Sequence, residues 1–310
     1  MGIMRSALLA GAENVWLRET AMRHPFVRRS VSRFMPGETM EEALSASRAQ
    51  QQERGTGTIL THLGENLTSL AEADAVTSHY LELFEKVAAA RLDAQVSVKL
   101  TQLGLDLGLE ACADRLSQLV AAAEVHGNLL WIDMESTKYV DPTLDLFRRA
   151  RRQSPKVGVC LQAYLRRTPA DLEALLPLAP AIRLVKGAYR EPPSLAFPRK
   201  ADVDENYYRL AARMLGPDVP GGTVVGIGTH DEHLVGRLQS VIAARGQGPA
   251  SYEFEMLYGI QRPLQARLVR EKAPLRVLVS YGEFWFPWYM RRLAERPANV
   301  LFVARSLFAG

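Results

Sequence analysis

Gln95-Val-Ser-Val-Lys-Leu100 alternates strictly between apolar and polar residues. In an extended strand Val96, Val98 and Leu100 share one face, and Ser97 and Lys99 share the other. Seven further short apolar runs punctuate the chain: Thr58–Leu63, Leu129–Met134, Lys156–Gln162, Ile182–Ala188, Thr223–His230, Tyr252–Leu257 and Leu275–Ser280. Longer stretches with helical patterning separate them, and strands alternating with helices argue for parallel βαβ units. Eight such units in roughly 230 residues are what a (β/α)8 barrel requires. An open doubly wound sheet is the alternative; it normally carries a GxGxxG turn, and Gly226-Ile-Gly228 lacks the third glycine.

The same parity recurs in the other runs. Ile132 and Met134 oppose Asp133; Val157, Val159 and Leu161 oppose Gly158, Cys160 and Gln162; Val225 and Ile227 oppose Gly226, Gly228 and His230; Phe254 and Met256 oppose Glu253 and Glu255. The polar member falls late in its run, and barrel active sites sit at the C-terminal ends of the strands. Lys99, Asp133, Gln162, His230 and Glu255 are therefore expected to converge on one mouth. Lys99 and Glu255 could instead form a structural ion pair, and Asp133 could cap the next helix. Burying all of these groups without partners would be costly.

A second feature lies near the C-terminus. After the last apolar run, Phe286–Arg296 places Arg291, Arg292 and Glu295 close together on one predicted helix, with Met290 and Leu293 at helical spacing. Paired guanidinium groups bind a small carboxylate through parallel charged hydrogen bonds. At the other end, Thr39 and Glu42 form a capping box that predicts a helix running to about Glu53. Residues 1–54 are read as a helical arm packed on a barrel of residues 55–310, a single domain overall.

Composition narrows the class. The chain has 310 residues, 47% hydrophobic and 23% charged, with a net charge of +4, which suits an anionic ligand or a negatively charged membrane surface. No apolar run approaches the ~20 residues of a membrane span, and Ala7–Ala10 is too short for a signal-peptide core. Cys112 and Cys160 stand apart in no CxxC pattern, as buried thiols of a reducing compartment do, so the expected location is the cytoplasm. The basic cluster Arg148, Arg149, Arg151 and Arg152 reads as a solvated helix face, and no nucleic-acid motif accompanies it. No HExxH, ligand-spaced His/Cys pair or GxSxG elbow is present, so neither a metal site nor a serine nucleophile is expected.

Five motifs together resemble the flavin-dependent proline dehydrogenases, most of all their short monofunctional bacterial type. These are Arg183-Leu-Val-Lys-Gly-Ala-Tyr189, Tyr289-Met-Arg-Arg-Leu-Ala-Glu295, Thr229-His-Asp231, Ser97-Val-Lys-Leu100 and Trp131-Ile-Asp-Met-Glu135. They occur in the family's order from about residue 58 onward. The resemblance implies a distorted (β/α)8 barrel with FAD in its mouth and a C-terminal helix over it. By position, Arg183 would sit beside the flavin ring near N5 and Gln162 at the ring's polar edge. Met134, Val185, Lys186, Gly187, Ala188, Tyr189, Thr229 and His230 would line the cofactor. Lys99, Arg291 and Arg292 would hold the substrate carboxylate, Asp133 would be a buried acid beside the site, and Glu295 would orient the arginines.

The implied reaction transfers a hydride from L-proline to flavin N5 and yields Δ1-pyrroline-5-carboxylate. The electrons would pass on to a quinone, which would place the protein in the cytoplasm or peripherally on the inner membrane face. Leu278 and Trp288 stand where many members carry tyrosines around the proline ring, which leaves 4-hydroxyproline open as an alternative substrate. The residues taken alone also admit a barrel aldolase with Lys99 or Lys186 as its Schiff-base amine, or a non-catalytic basic binding module. Closure of the barrel would bring strand 1 beside strand 8, which makes Glu65 a candidate latch for the arginine helix.

Overall fold

A computed structural model describes residues 31–64, 67–286 and 289–290. Eight strands close into one parallel barrel in sequence order. They are β1 Gly57–His62, β2 Ala94–Val98, β3 Leu130–Ile132, β4 Val157–Gln162, β5 Ala181–Val185, β6 Val224–Gly228, β7 Tyr252–Leu257 and β8 Leu275–Tyr281. The closing ladder pairs Ile59 with Leu278 and His62 with Tyr281. The helices are α1 Met40–Arg54, α2 Leu70–Ala89, α3 Leu109–Val125, α4 Val140–Gln153, α5 Thr168–Leu175, α6 Lys200–Met214, α7 Glu232–Arg245 and α8 Arg262–Arg270. None among the described residues is long and apolar enough to cross a membrane.

Alternation sorts every strand. Leu60, Val96, Val98, Ile132, Val157, Val225, Val277 and Val279 belong to the main apolar core between the strands and the surrounding helices. The opposite faces fill the barrel in layers, as a barrel of this strand number must. At the N-terminal end Arg276 bonds Asp93 at 2.7 Å and Glu253 at 3.0 Å. Above it Ile59, Trp131 and Ala181 pack with Leu129, Val224 and Leu278 as an apolar floor. Trp131 is the bulkiest member, and Gly158 on the adjacent strand makes its place: a Cβ there would lie 2.6 Å from the indole ring. The polar layer rests on this floor.

Helix α1 starts as its capping box requires, with Glu42 N bonded to Thr39 Oγ1 and Thr39 N bonded to Glu42 Oε2. It ends one residue beyond the expected position, at a left-handed Gly55, and packs against β1 and β8. Of the expected 1–54 arm, residues 1–30 lie outside the described residues.

Several strands end before their apolar runs do. β2 stops at Val98 and Leu100–Leu103 forms a 3-10 turn; β3 stops at Ile132, β5 at Val185 and β6 at Gly228. Lys99, Asp133, Met134, Lys186, Gly187, Ala188, Thr229 and His230 are therefore loop residues, placed at the barrel rim by the strands that precede them. Cys112 and Cys160 are free and buried. In the basic cluster Arg149 pairs with Glu110 at 2.6 Å, and Arg151 bonds backbone carbonyls instead of solvent.

Candidate active site

The polar layer centres on Arg183. β5 directs it inward, and its side chain is 3% exposed. Nε bonds Glu255 Oε2 across the barrel. Nη1 donates to Asp133 Oδ1 at 3.0 Å and to Ser97 Oγ at 3.1 Å. The guanidinium carbon lies 4.6 Å from the centroid of the Trp131 ring, within range for a cation–π contact. Gly226 allows the Glu255 arrangement, since a Cβ at that position would lie 2.2 Å from Glu255 Oε1.

Asp133 links this network to Lys99. Its Oδ1 also accepts from Ser97 Oγ at 2.9 Å, and its Oδ2 lies 3.5 Å from Lys99 Nζ. Two expectations are corrected here. Lys99 and Glu255 do not pair with each other, because Asp133 takes the lysine and Arg183 takes the glutamate. Nor does Asp133 cap a helix, since both its oxygens turn into the barrel.

The electrostatics follow from burial. Burial opposes the Arg183 charge, but Glu255 and Asp133 outweigh it and raise its pKa, so the guanidinium stays charged. Burial pushes the Glu255 carboxyl up against the pull of Arg183. Cys160, beside Arg183 on the next strand, has its thiol pushed up by burial to about 12, which removes it as a nucleophile at neutral pH.

Three buried polar atoms in this layer have no hydrogen-bond partner among the described residues: Arg183 Nη2, Gln162 Oε1 and Glu255 Oε1, the last packed beside Gly226. Gln162 is held by its other end, Nε2, which donates to the Met134 carbonyl at 3.1 Å. One donor and two acceptors are thus left over in the layer, whereas buried groups of this kind are normally paired. Gly187 provides a close backbone approach nearby. Its φ is +112°, and a Cβ would lie 2.1 Å from the Tyr164 ring. A flat heterocycle with both a hydrogen-bond donor and acceptors on its edge fits this donor set, as FAD's ring system would.

The rim carries the other predicted residues. Lys186 Nζ contacts Asp204 at 2.5 Å and Asp231 at 2.8 Å. Burial pushes Asp231 up, but Lys186 and Lys200 hold its carboxyl well below the usual range. Asp231 also caps α7 through the His233 and Leu234 amides. Buried Thr229 accepts from Asp231 N, and His230 Nε2 accepts from Leu257 N at 2.8 Å. Val185 is half-buried and accepts from Ala163 N, Tyr189 is half-buried, and Ala188 is exposed. Leu278 lies in the apolar floor. Glu65, Trp288, Arg291, Arg292 and Glu295 lie outside the described residues.

Ser97, Trp131, Asp204 and Asp231 also take part although the site reading assigned them no role, and Glu255, expected at the mouth, is the partner of Arg183. Parity already put Ser97 and Glu255 inside the barrel. The alternation Trp131–Asp133 and the glycine opposite, Gly158, were the available signals for the tryptophan.

Known proteins resemble this chain in sequence and in fold. A sequence profile described as proline dehydrogenase matches residues 44–305. The proline dehydrogenase of Deinococcus radiodurans is 35% identical over 99% of this chain and 99% of its own length. Proline dehydrogenase 2 of Bacillus subtilis is 36% identical over 83% of this chain and 84% of its own. In fold, the proline utilization A protein of Bdellovibrio bacteriovorus superposes with a TM-score of 0.81 at 21% identity, covering 94% of this chain and 36% of that one. With a profile match across most of its length and a relative alignable from end to end, the chain belongs to the proline dehydrogenase family.

Proposed function

We propose that this protein oxidises L-proline to Δ1-pyrroline-5-carboxylate with FAD held in the barrel mouth, the first step of proline degradation to glutamate, and that a quinone takes the electrons onward. The observation that carries the reading is that Arg183 Nη2 and Gln162 Oε1 are buried without partners among the described residues, in a barrel whose rim carries the positive-φ Gly187. Bound FAD would supply the hydride acceptor.

The chain's own residues supply position and charge. Arg183 is fixed from two sides, by Glu255 and by Asp133, so its remaining donor is preorganised. Gln162 is fixed through the Met134 carbonyl and offers an acceptor. Lys99 presents a cation at the rim and is the described residue suited to a substrate carboxylate, with Arg291 and Arg292 proposed as its partners. Three cations favour the anionic form of proline, whose free amine lone pair assists hydride loss. The floor of Trp131, Ile59 and Leu278 excludes water below the reacting carbon.

The aldolase alternative fares poorly against the same contacts. A Schiff-base lysine needs a neutral amine, whereas Lys99 faces Asp133 and Lys186 faces two aspartates. The test is the cofactor itself. The purified protein should be yellow, and denaturation should release FAD into the supernatant. A colourless protein that takes up no added FAD would overturn the proposal.

A further inference from the structure

The opposite end of the barrel holds a second concave site. Below the apolar floor, at the N-terminal ends of the strands, lies a cavity of about 420 Å³. Leu129, Ala181 and Val224 line its inner wall, and Arg91, Arg151, Lys156 and Arg276 line it with charge. Asp93 is the one carboxylate in the lining, and it is engaged by Arg276, which also holds Glu253.

That leaves three cations with no acidic partner among the described residues. Arg151 is pinned by three backbone carbonyls, of Pro155, Leu178 and Ala179, and burial lowers its pKa without any carboxylate to offset the effect. Its position is explained by these carbonyls, two of which end the 3-10 turn Leu176–Leu178, because carbonyls at a helix C-terminus attract cations. The same explanation does not extend to Arg91 and Lys156. Their side chains, exposed in Arg91 and half-buried in Lys156, make no hydrogen bond or ion pair among the described residues, and both line the cavity. Arg91 is also held at φ +51°, just past the end of α2, where glycine is the usual residue. A non-glycine residue in that conformation is mildly strained, a conformation that Ala179, Gln261 and Lys272 also adopt.

We propose that this cavity binds a small organic anion bearing two or more carboxylate or phosphate groups, with Arg91, Arg151 and Lys156 as its cationic contacts. The volume lies within the range of small-molecule sites. Its apolar inner wall suits the carbon part of such a ligand, and His126 is its only ring, so no stacked base is implied. The site is separate from the Arg183 layer because Trp131, Ile59 and Leu278 stand between them.

Isothermal titration of the flavin-loaded enzyme with citrate and with pyrophosphate, at low ionic strength and against a KCl blank, tests the proposal. One saturable site for either probe is expected, undisturbed by saturating proline. Binding of citrate alone assigns a polycarboxylate; binding of pyrophosphate alone assigns a phosphate ligand. The double variant Arg91→Gly/Lys156→Ala should weaken binding at least tenfold. It should still fold, because glycine relieves the positive φ and Lys156 is only half-buried. No saturable binding of either probe, or unchanged affinity in the folded double variant, would overturn the proposal.

Discussion

Arg183 and Glu255 meet inside the barrel with only 3% of either side chain exposed, and the missing side chain of Gly226 leaves the room in which they meet. The pair rigidifies the arginine from the side away from the mouth, so that its free donor points one way. Removing Glu255 leaves a buried guanidinium with less charge against it. Breaking a buried pair typically costs ~3–5 kcal/mol. Because Asp133 still holds Nη1, Glu255→Ala should lose about 3 kcal/mol in chemical denaturation. Gly226→Ala, which drives a methyl group into the same carboxylate, should cost about 1–3 kcal/mol by overpacking. Losses under about 0.5 kcal/mol in both variants would mean that the pair does not stabilise the barrel interior.

Stability should also fall on the acid side because of a histidine outside the catalytic layer. His62 packs against His79, with ring centroids 4.4 Å apart, and against Tyr281. Burial, helped by the neighbouring His79, lowers its pKa from 6.5 to about 4. The unfolded chain therefore takes up this proton first, so the contribution is intact above about 6.5 and is lost as pH falls toward 4. His62→Gln should lose less stability than the parent across that window, measured as the difference between their denaturation midpoints. Parallel curves would show that His62 does not titrate differently on folding.

The carboxylate assignment of Arg291 and Arg292 rests on their motif, because both lie outside the described residues. A charge-assisted hydrogen bond is worth ~1.5–3 kcal/mol. Arg291→Met or Arg292→Met should thus lower kcat/KM for proline by roughly 10- to 150-fold while FAD content stays at the parent level. A change within about twofold would remove that arginine from the assignment.

Leu278 sits in the floor with Trp131 and Ile59, on the interior face of β8. Replacing it with tyrosine would fill space below the ring and add a hydroxyl. Such pocket changes shift discrimination by ~1–3 kcal/mol. The ratio of kcat/KM for proline to that for trans-4-hydroxyproline should change several-fold in Leu278→Tyr. An unchanged ratio would show that the floor does not reach the substrate.

The sequence carried the barrel and its interior because both are consequences of parity. A period of two assigns Ser97, Asp133 and Glu255 to one side of their strands whatever the loops do, whereas Arg183 was legible only through the family resemblance. Partner choice inside the barrel was less legible. Lys99 could have met Glu255 on parity alone; stagger around the barrel instead delivers it to Asp133 just past the adjacent strand, and Arg183 takes Glu255. The rim lysine Lys186 was likewise legible as a motif residue but not as part of a four-charge cluster, because Asp204 comes from a separate helix. The cavity beneath the floor left no motif at all, since Arg91 follows α2, Arg151 lies in the last turn of α4 and Lys156 precedes β4.

The central claim is that the polar layer around Arg183 and Gln162 holds FAD where proline can reduce it. The most direct measurement is anaerobic titration of the purified protein with L-proline while the visible flavin absorption is followed. The account predicts stoichiometric bleaching by L-proline, little by D-proline, and the return of colour when a quinone is added. Bound FAD that keeps its full absorption under excess L-proline would contradict it.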